Sequence, residues 1–105
     1  MKKLIILPTY NESKNIRKTI EIINNQGSDA DILIVDDNSP DGTAALVKDL
    51  DLKNTFIIER KSKQGLGSAY VNGFKWALDN SYSKIIQMDA DLSHDPVEIT
   101  PMFEL

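Results

Sequence analysis

Four aliphatic runs, each closed abruptly by polar residues, constrain this chain more than any other feature. They are Leu4-Ile5-Ile6-Leu7, Ile32-Leu33-Ile34-Val35, Phe56-Ile57-Ile58 and Ile85-Ile86-Gln87-Met88. A strand with one wet face alternates apolar and polar; a run apolar at successive positions has to be covered on both faces. Between the runs the period changes to that of a helix. Ile16, Ile20 and Ile23 fall at i, i+4, i+7, with Asn11 placed ahead of them as a cap. Ser39-Pro40 reads as an N-cap followed by proline at the first helical position, opening a helix with Val47 and Leu50 on its inner face. Ala69, Tyr70, Gly73, Phe74, Ala77 and Leu78 form the apolar stripe of a third helix, and Gly73 within it lets that helix sit close to the sheet. Trp76 lies off this stripe, where a contact surface is one reading of it. Asp95-Pro96-x-Glu98 starts a fourth helix, which Pro101 kinks or divides.

The alternation predicts an α/β fold: an open parallel sheet of βα units, with right-handed crossovers and helices on both faces. The 105 residues make one modest domain, residues 1–105, with no linker or low-complexity segment. In such sheets ligands bind beyond the carboxyl ends of the strands. Polar clusters follow every run: Thr9-Tyr10-Asn11-Glu12, Asp36-Asp37-Asn38-Ser39, Arg60-Lys61-Ser62-Lys63 and Asp89-Ala90-Asp91. Four polar loops on one rim make a site.

Composition removes several classes. Sixteen acids against twelve bases give a net charge of −4, which argues against a nucleic-acid-binding surface. The absence of cysteine excludes disulfides, thiolate metal sites and cysteine nucleophiles. No apolar run reaches the length that spans a bilayer, and Pro8 and Asn11 end the first run too early for a signal peptide. The chain reads as cytoplasmic.

The last loop is the most telling. Asp89, Asp91 and Asp95 crowd into seven residues. In extended backbone, residues two apart share a side at a separation of roughly 6.5 Å, where two unit charges repel by about 2.5 kcal/mol at an effective dielectric of 20. Such a pair suggests that a cation belongs between them. The other reading is that both cap the next helix or face solvent.

The stretches "LPTYNE" (7–12), "IVDDNSPDGT" (34–43), "KQGLGSAYVNGF" (63–74) and "MDADLSHDP" (88–96) occur in the order and spacing of family 2 glycosyltransferases. The chain most resembles the polyprenol-phosphate sugar transferases of the dolichyl-phosphate mannosyltransferase type, over essentially its whole length. The resemblance implies the nucleotide-sugar-binding part of a GT-A domain, a Rossmann-like nucleotide-diphospho-sugar transferase fold. It implies a D-x-D motif holding Mg²⁺ or Mn²⁺, with Asp91 as direct ligand and Asp89 on the metal or the sugar-nucleotide beside it. It places Pro8 and Tyr10 against the base and hydrogen-bonds Glu12 to it, although Glu12 also suits the first turn of a helix. Asp37 is the better of the second acidic pair for the ribose hydroxyls or base, or else a turn former. Asp41-Gly42-Thr43 shapes a turn and a helix start.

Lys63, Gly65 and Gly67 invite comparison with a phosphate loop, but Tyr70 stands where G-x-G-x-x-G needs its third glycine. Arg60 or Lys63 can still offset diphosphate charge, or simply be solvated. Ser93 reaches a metal only through water, and His94 is either exposed or a substrate contact.

The implied reaction transfers a hexose, mannose from GDP-mannose, to a polyprenyl phosphate with inversion. The partners are then a nucleotide-sugar donor and a polyprenyl phosphate acceptor whose site lies mostly beyond this chain. Contact with a membrane is peripheral or through a C-terminal part, at its cytoplasmic face. Leu105 falls inside a helix without a C-cap signal. The expectation is therefore an N-terminal fragment that binds metal and nucleotide weakly, does not turn over, and self-associates through uncovered surfaces. The alternatives are another family 2 enzyme using a UDP-sugar, a non-catalytic nucleotide-binding module, or a haloacid-dehalogenase-type phosphatase. For the last, Asp89-x-Asp91-x-Ser93 matches, but too little chain follows it.

Overall fold

The structure, a computed structural model, describes residues 2–25, 29–61 and 66–88. The order is β1 (Lys3–Thr9), α1 (Ile16–Asn25), β2 (Asp31–Asp36), α2 (Thr43–Leu50), β3 (Thr55–Glu59), α3 (Leu66–Asp79) and β4 (Lys84–Gln87). All four aliphatic runs become strands of one sheet in the order β3-β2-β1-β4, parallel throughout. Thr9 pairs with Asp36 and Asp36 with Glu59, so the first three strands end level.

Alternate residues of the two central strands feed two cores. Ile5, Leu7, Ile32 and Ile34 pack against Ile16, Ile20 and Ile23 of α1 and Val47 of α2. Leu4, Ile6, Leu33 and Val35 pack against Ala69 and Ala77 of α3. Each isoleucine so buried contributes about 1.5–3 kcal/mol relative to exposure. Helices therefore cover both faces, as the unbroken apolar runs require.

Three local expectations shift. Helix α1 opens at Ile16, not just after Asn11: Asn11 takes φ 57°, and the carbonyl of Glu12 accepts from the amides of Asn15 (3.0 Å) and Ile16 (2.8 Å). Helix α2 opens at Thr43 behind a left-handed Gly42 (φ 83°), so Ser39-Pro40 is not its cap. Helix α3 is turned relative to the stripe read from its sequence. Ala69, Gly73 and Ala77 face the sheet, while Phe74 and Leu78 are exposed. Trp76 instead packs inward, its ring 5.3 Å from Phe56 and 5.7 Å from Tyr82.

Gly73 meets its expectation closely. A Cβ there would lie 2.8 Å from Cγ2 and 2.9 Å from Cδ1 of Ile6, closer than real carbon atoms approach. The fourth predicted helix lies outside the described residues. No described helix is long and apolar enough to cross a membrane.

Candidate functional site

Topology singles out one crevice. From β1 the chain crosses over by α1, on the face that α1 and α2 share; it reaches β4 by α3, on the opposite face. The carboxyl ends of β1 and β4 therefore flank the switch point where open α/β sheets bind ligands. The amide of Met88 donates to the carbonyl of Ile6 (3.1 Å), carrying the β1–β4 pairing to the last residue before Asp89.

On the β1 side, Pro8 is half-buried, Thr9 buried, Tyr10 38% exposed and Glu12 half-buried. The backbone of this loop is held by side chains from 28 to 31 residues away. The amide of Asn11 donates to Ser39 Oγ (2.9 Å), that of Glu12 to Thr43 Oγ1 (3.1 Å), and that of Ser13 to Asp41 Oδ2 (3.0 Å). Three consecutive N–H groups are thus satisfied by the loop that follows β2 and the first residue of α2.

Those acceptors are themselves held by carboxylates. Asp36, 1% exposed, accepts from Thr9 Oγ1 (2.6 Å), Ser39 Oγ (2.6 Å) and the Ser39 amide (3.0 Å). Asp41 accepts from Thr43 Oγ1 (2.5 Å) and the Thr43 amide (3.1 Å). Slight desolvation of the Asp41 carboxyl pushes its pKa up, but the hydrogen bonds from Thr43 and Ser13 together outweigh this and leave it below its ordinary value of 3.8.

The second half of the rim is ionic. Asp37, 6% exposed, receives Nε and Nη2 of Arg60 on its two oxygens, the latter at 2.7 Å. Arg60, 7% exposed, also donates from Nη1 to Ser68 Oγ in α3 (2.8 Å). The fork thereby joins the ends of β2 and β3 to the start of α3. Backbone bonds reinforce the join: the Asp37 amide donates to the Thr9 carbonyl (3.1 Å), and that of Arg60 to the Asp36 carbonyl (2.7 Å). Nothing in the sequence reading paired Asp37 with Arg60. The available signal was one acid and one base, each just past the end of an adjacent strand.

Of the expected site residues, Pro8, Tyr10, Glu12 and Asp37 share this rim. Lys63, Asp89, Asp91, Ser93 and His94 lie outside the described residues. Among the described residues no group of three or more His, Cys, Asp or Glu is placed to hold a metal. The carboxylates of Asp36, Asp37 and Asp41 all have partners within the chain. Two open grooves of about 530 and 600 Å³ run between α1 and α2, bordered by Arg17, Leu50 and their neighbours; Pro8, Tyr10, Glu12 and Asp37 line neither.

Residues 4–105 match the model of the family described as glycosyl transferase family 2. The polyprenol monophosphomannose synthase of Mycolicibacterium smegmatis is 42% identical over 104 residues, covering 96% of this chain and 39% of the relative. The undecaprenyl-phosphate mannosyltransferase of Micrococcus luteus is 38% identical, covering 99% and 44% respectively. The dolichol-phosphate mannosyltransferase of Pyrococcus furiosus is 39% identical, covering 99% and 30%. The chain thus spans less than half the length of these relatives.

Among solved structures, TarS of S. aureus (residues 1–349, with UDP) superposes with a TM-score of 0.75 at 26% identity, over 87% of this chain and 28% of that one. A mannosyltransferase from Pyrobaculum calidifontis, solved with GDP-Man and Mn²⁺, has a TM-score of 0.69 at 24% identity, over 86% and 27%; at that identity it supports the fold.

Proposed function

Since the chain belongs to glycosyl transferase family 2, we propose that it forms the donor-binding part of an enzyme that moves mannose from GDP-mannose to a polyprenyl phosphate, with inversion. The names of three relatives at 38–42% identity support the sugar and the acceptor class. The observation that carries the reading is the loop after β1, pinned at three successive amides beside the switch point, with Tyr10 partly exposed on it.

In this reading Pro8 and Tyr10 lie against the base and Glu12 accepts from its ring N–H groups. A carboxylate has two oxygens, and guanine offers two adjacent donors where uracil offers one; that favours GDP over UDP. Asp37, oriented by Arg60, accepts from the ribose hydroxyls or base. Lys63 sits with the diphosphate.

Asp89 and Asp91 supply hard oxygen donors, the type that suits Mg²⁺ or Mn²⁺. When bound, such an ion neutralises charge on the departing diphosphate. The bond from the anomeric carbon to the diphosphate oxygen breaks as an oxygen of the acceptor phosphate bonds to the opposite face of that carbon. The attacking group is already an anion, so no general base is needed, and the products are GDP and the mannosyl polyprenyl phosphate.

Calorimetric titration of the chain with GDP and UDP, with and without Mn²⁺, tests the donor site. Binding of GDP that requires Mn²⁺, exceeds that of UDP, and is lost in Asp91→Asn is the expected result. Equal binding without the metal, or none of either nucleotide, rejects the reading.

A further inference from the structure

We infer that Ser39 and Thr43, oriented by Asp36 and Asp41, are positioning residues that set the backbone of the nucleotide-binding loop and through it the affinity for the donor. The inference rests on the donor-site reading above and extends it to residues that touch no ligand in that reading.

The geometry is a relay built twice. Ser39 Oγ gives its proton to Asp36 (2.6 Å) and accepts the Asn11 amide (2.9 Å). Thr43 Oγ1 gives its proton to Asp41 (2.5 Å) and accepts the Glu12 amide (3.1 Å). A hydroxyl is free to rotate and can donate or accept. With its single proton directed to a carboxylate, it is left as an acceptor facing the amide, and a charged partner strengthens that bond. Asp41 then takes the next amide, that of Ser13, directly (3.0 Å).

The three amides flank and include Glu12, whose carboxylate has to meet the base. They also follow directly on Tyr10, whose ring has to lie against it. Asn11 takes a positive φ (57°), a conformation that asparagine adopts more readily than other residues with a side chain. The relays, with the Asp41–Ser13 bond, are the tertiary hydrogen bonds that hold the backbone on either side of it.

The experiment uses the whole chain with Thr43→Val, which keeps the volume of this fully buried side chain but removes the hydroxyl, with Ser39→Ala at the other relay, and with Thr43→Ser as rescue. Two readouts are taken: amide hydrogen exchange of Asn11, Glu12 and Ser13 by NMR, and the dissociation constant for GDP with Mn²⁺.

Thr43→Val should speed exchange at Glu12 and Ser13, and Ser39→Ala at Asn11, while the amides of β1 and β2 keep their protection. Each variant should weaken GDP binding about five- to tenfold, the scale of one hydrogen bond, and Thr43→Ser should restore both readouts. Unchanged exchange at these three amides overturns the inference whatever the nucleotide does. Faster exchange with unchanged GDP affinity overturns the link to the donor. If the unaltered chain binds no GDP, the donor-site reading fails and takes that link with it. The exchange data would then still decide whether the relays set the loop.

Discussion

The two halves of the carboxyl rim are held by different chemistry. Over β1 and β2 the fastening is a set of hydrogen bonds centred on Asp36 and Asp41, which reach the amides of the first loop through Ser39 and Thr43 and, from Asp41, directly. Over β2 and β3 it is one buried ion pair, Asp37 with Arg60, extended to Ser68. Hydrogen bonds of the first kind are directional and modest, so their loss misplaces a loop. A buried charge left without its partner is expensive anywhere in the fold, so loss of the second kind lowers the stability of the whole chain.

The largest expected effect tests the ionic half. Arg60→Ala strands a buried carboxylate and should lower the unfolding free energy by about 3–5 kcal/mol, read from urea titration. Replacing both partners, Asp37→Leu with Arg60→Met, should recover most of that stability. If Asp37 serves the donor, the double variant will fold and still bind GDP poorly. A double variant as unstable as Arg60→Ala would mean that the ion pair is more than a paired desolvation.

A smaller effect tests the hydroxyl half. Asp36→Asn turns one acceptor into a donor opposite Thr9 and Ser39 and should cost about 1–3 kcal/mol in the same titration. A loss equal to that of Arg60→Ala would erase the distinction between the halves.

The smallest effect is a pH dependence. The folded-state pKa of Asp41 lies below its ordinary 3.8, so the carboxylate adds stability above that value and loses it as pH falls through the lower, folded-state pKa. Because Asp41 is exposed, the contribution is small. Subtracting the acid-denaturation curve of Asp41→Asn from that of the unaltered chain should leave a shallow slope confined to the acid side. A slope of opposite sign would contradict the bonding described.

The strands were legible because burial on two faces leaves an unbroken aliphatic run, a signal that needs no partner to interpret. The rim was legible as a cluster but not as a mechanism. Ser39-Pro40 carries a sound local signature of a helix start, yet Ser39 Oγ bonds to Asp36 and to the Asn11 amide, 28 residues away in sequence, and α2 waits for Gly42. Asn11 is no cap either, because α1 opens only at Ile16. Period alone fixes the spacing of an apolar stripe but not its phase. In α3 the phase was settled by Gly73, which brings backbone against Ile6 and swings Trp76 inward between Phe56 and Tyr82. Arg60 reads from the sequence as a base able to offset diphosphate charge, or else solvated; its bond to the Asp37 carboxylate needs the fold to be seen.

Position 73 and Ile6 divide a single parcel of space between helix and strand, and neither can grow unless the other shrinks. Because the same helix carries Ser68 against the guanidinium five residues earlier, a wedge at its middle would act as a fulcrum, tipping its start away from the rim. Drift at a position remote from the rim would thus be felt at the rim.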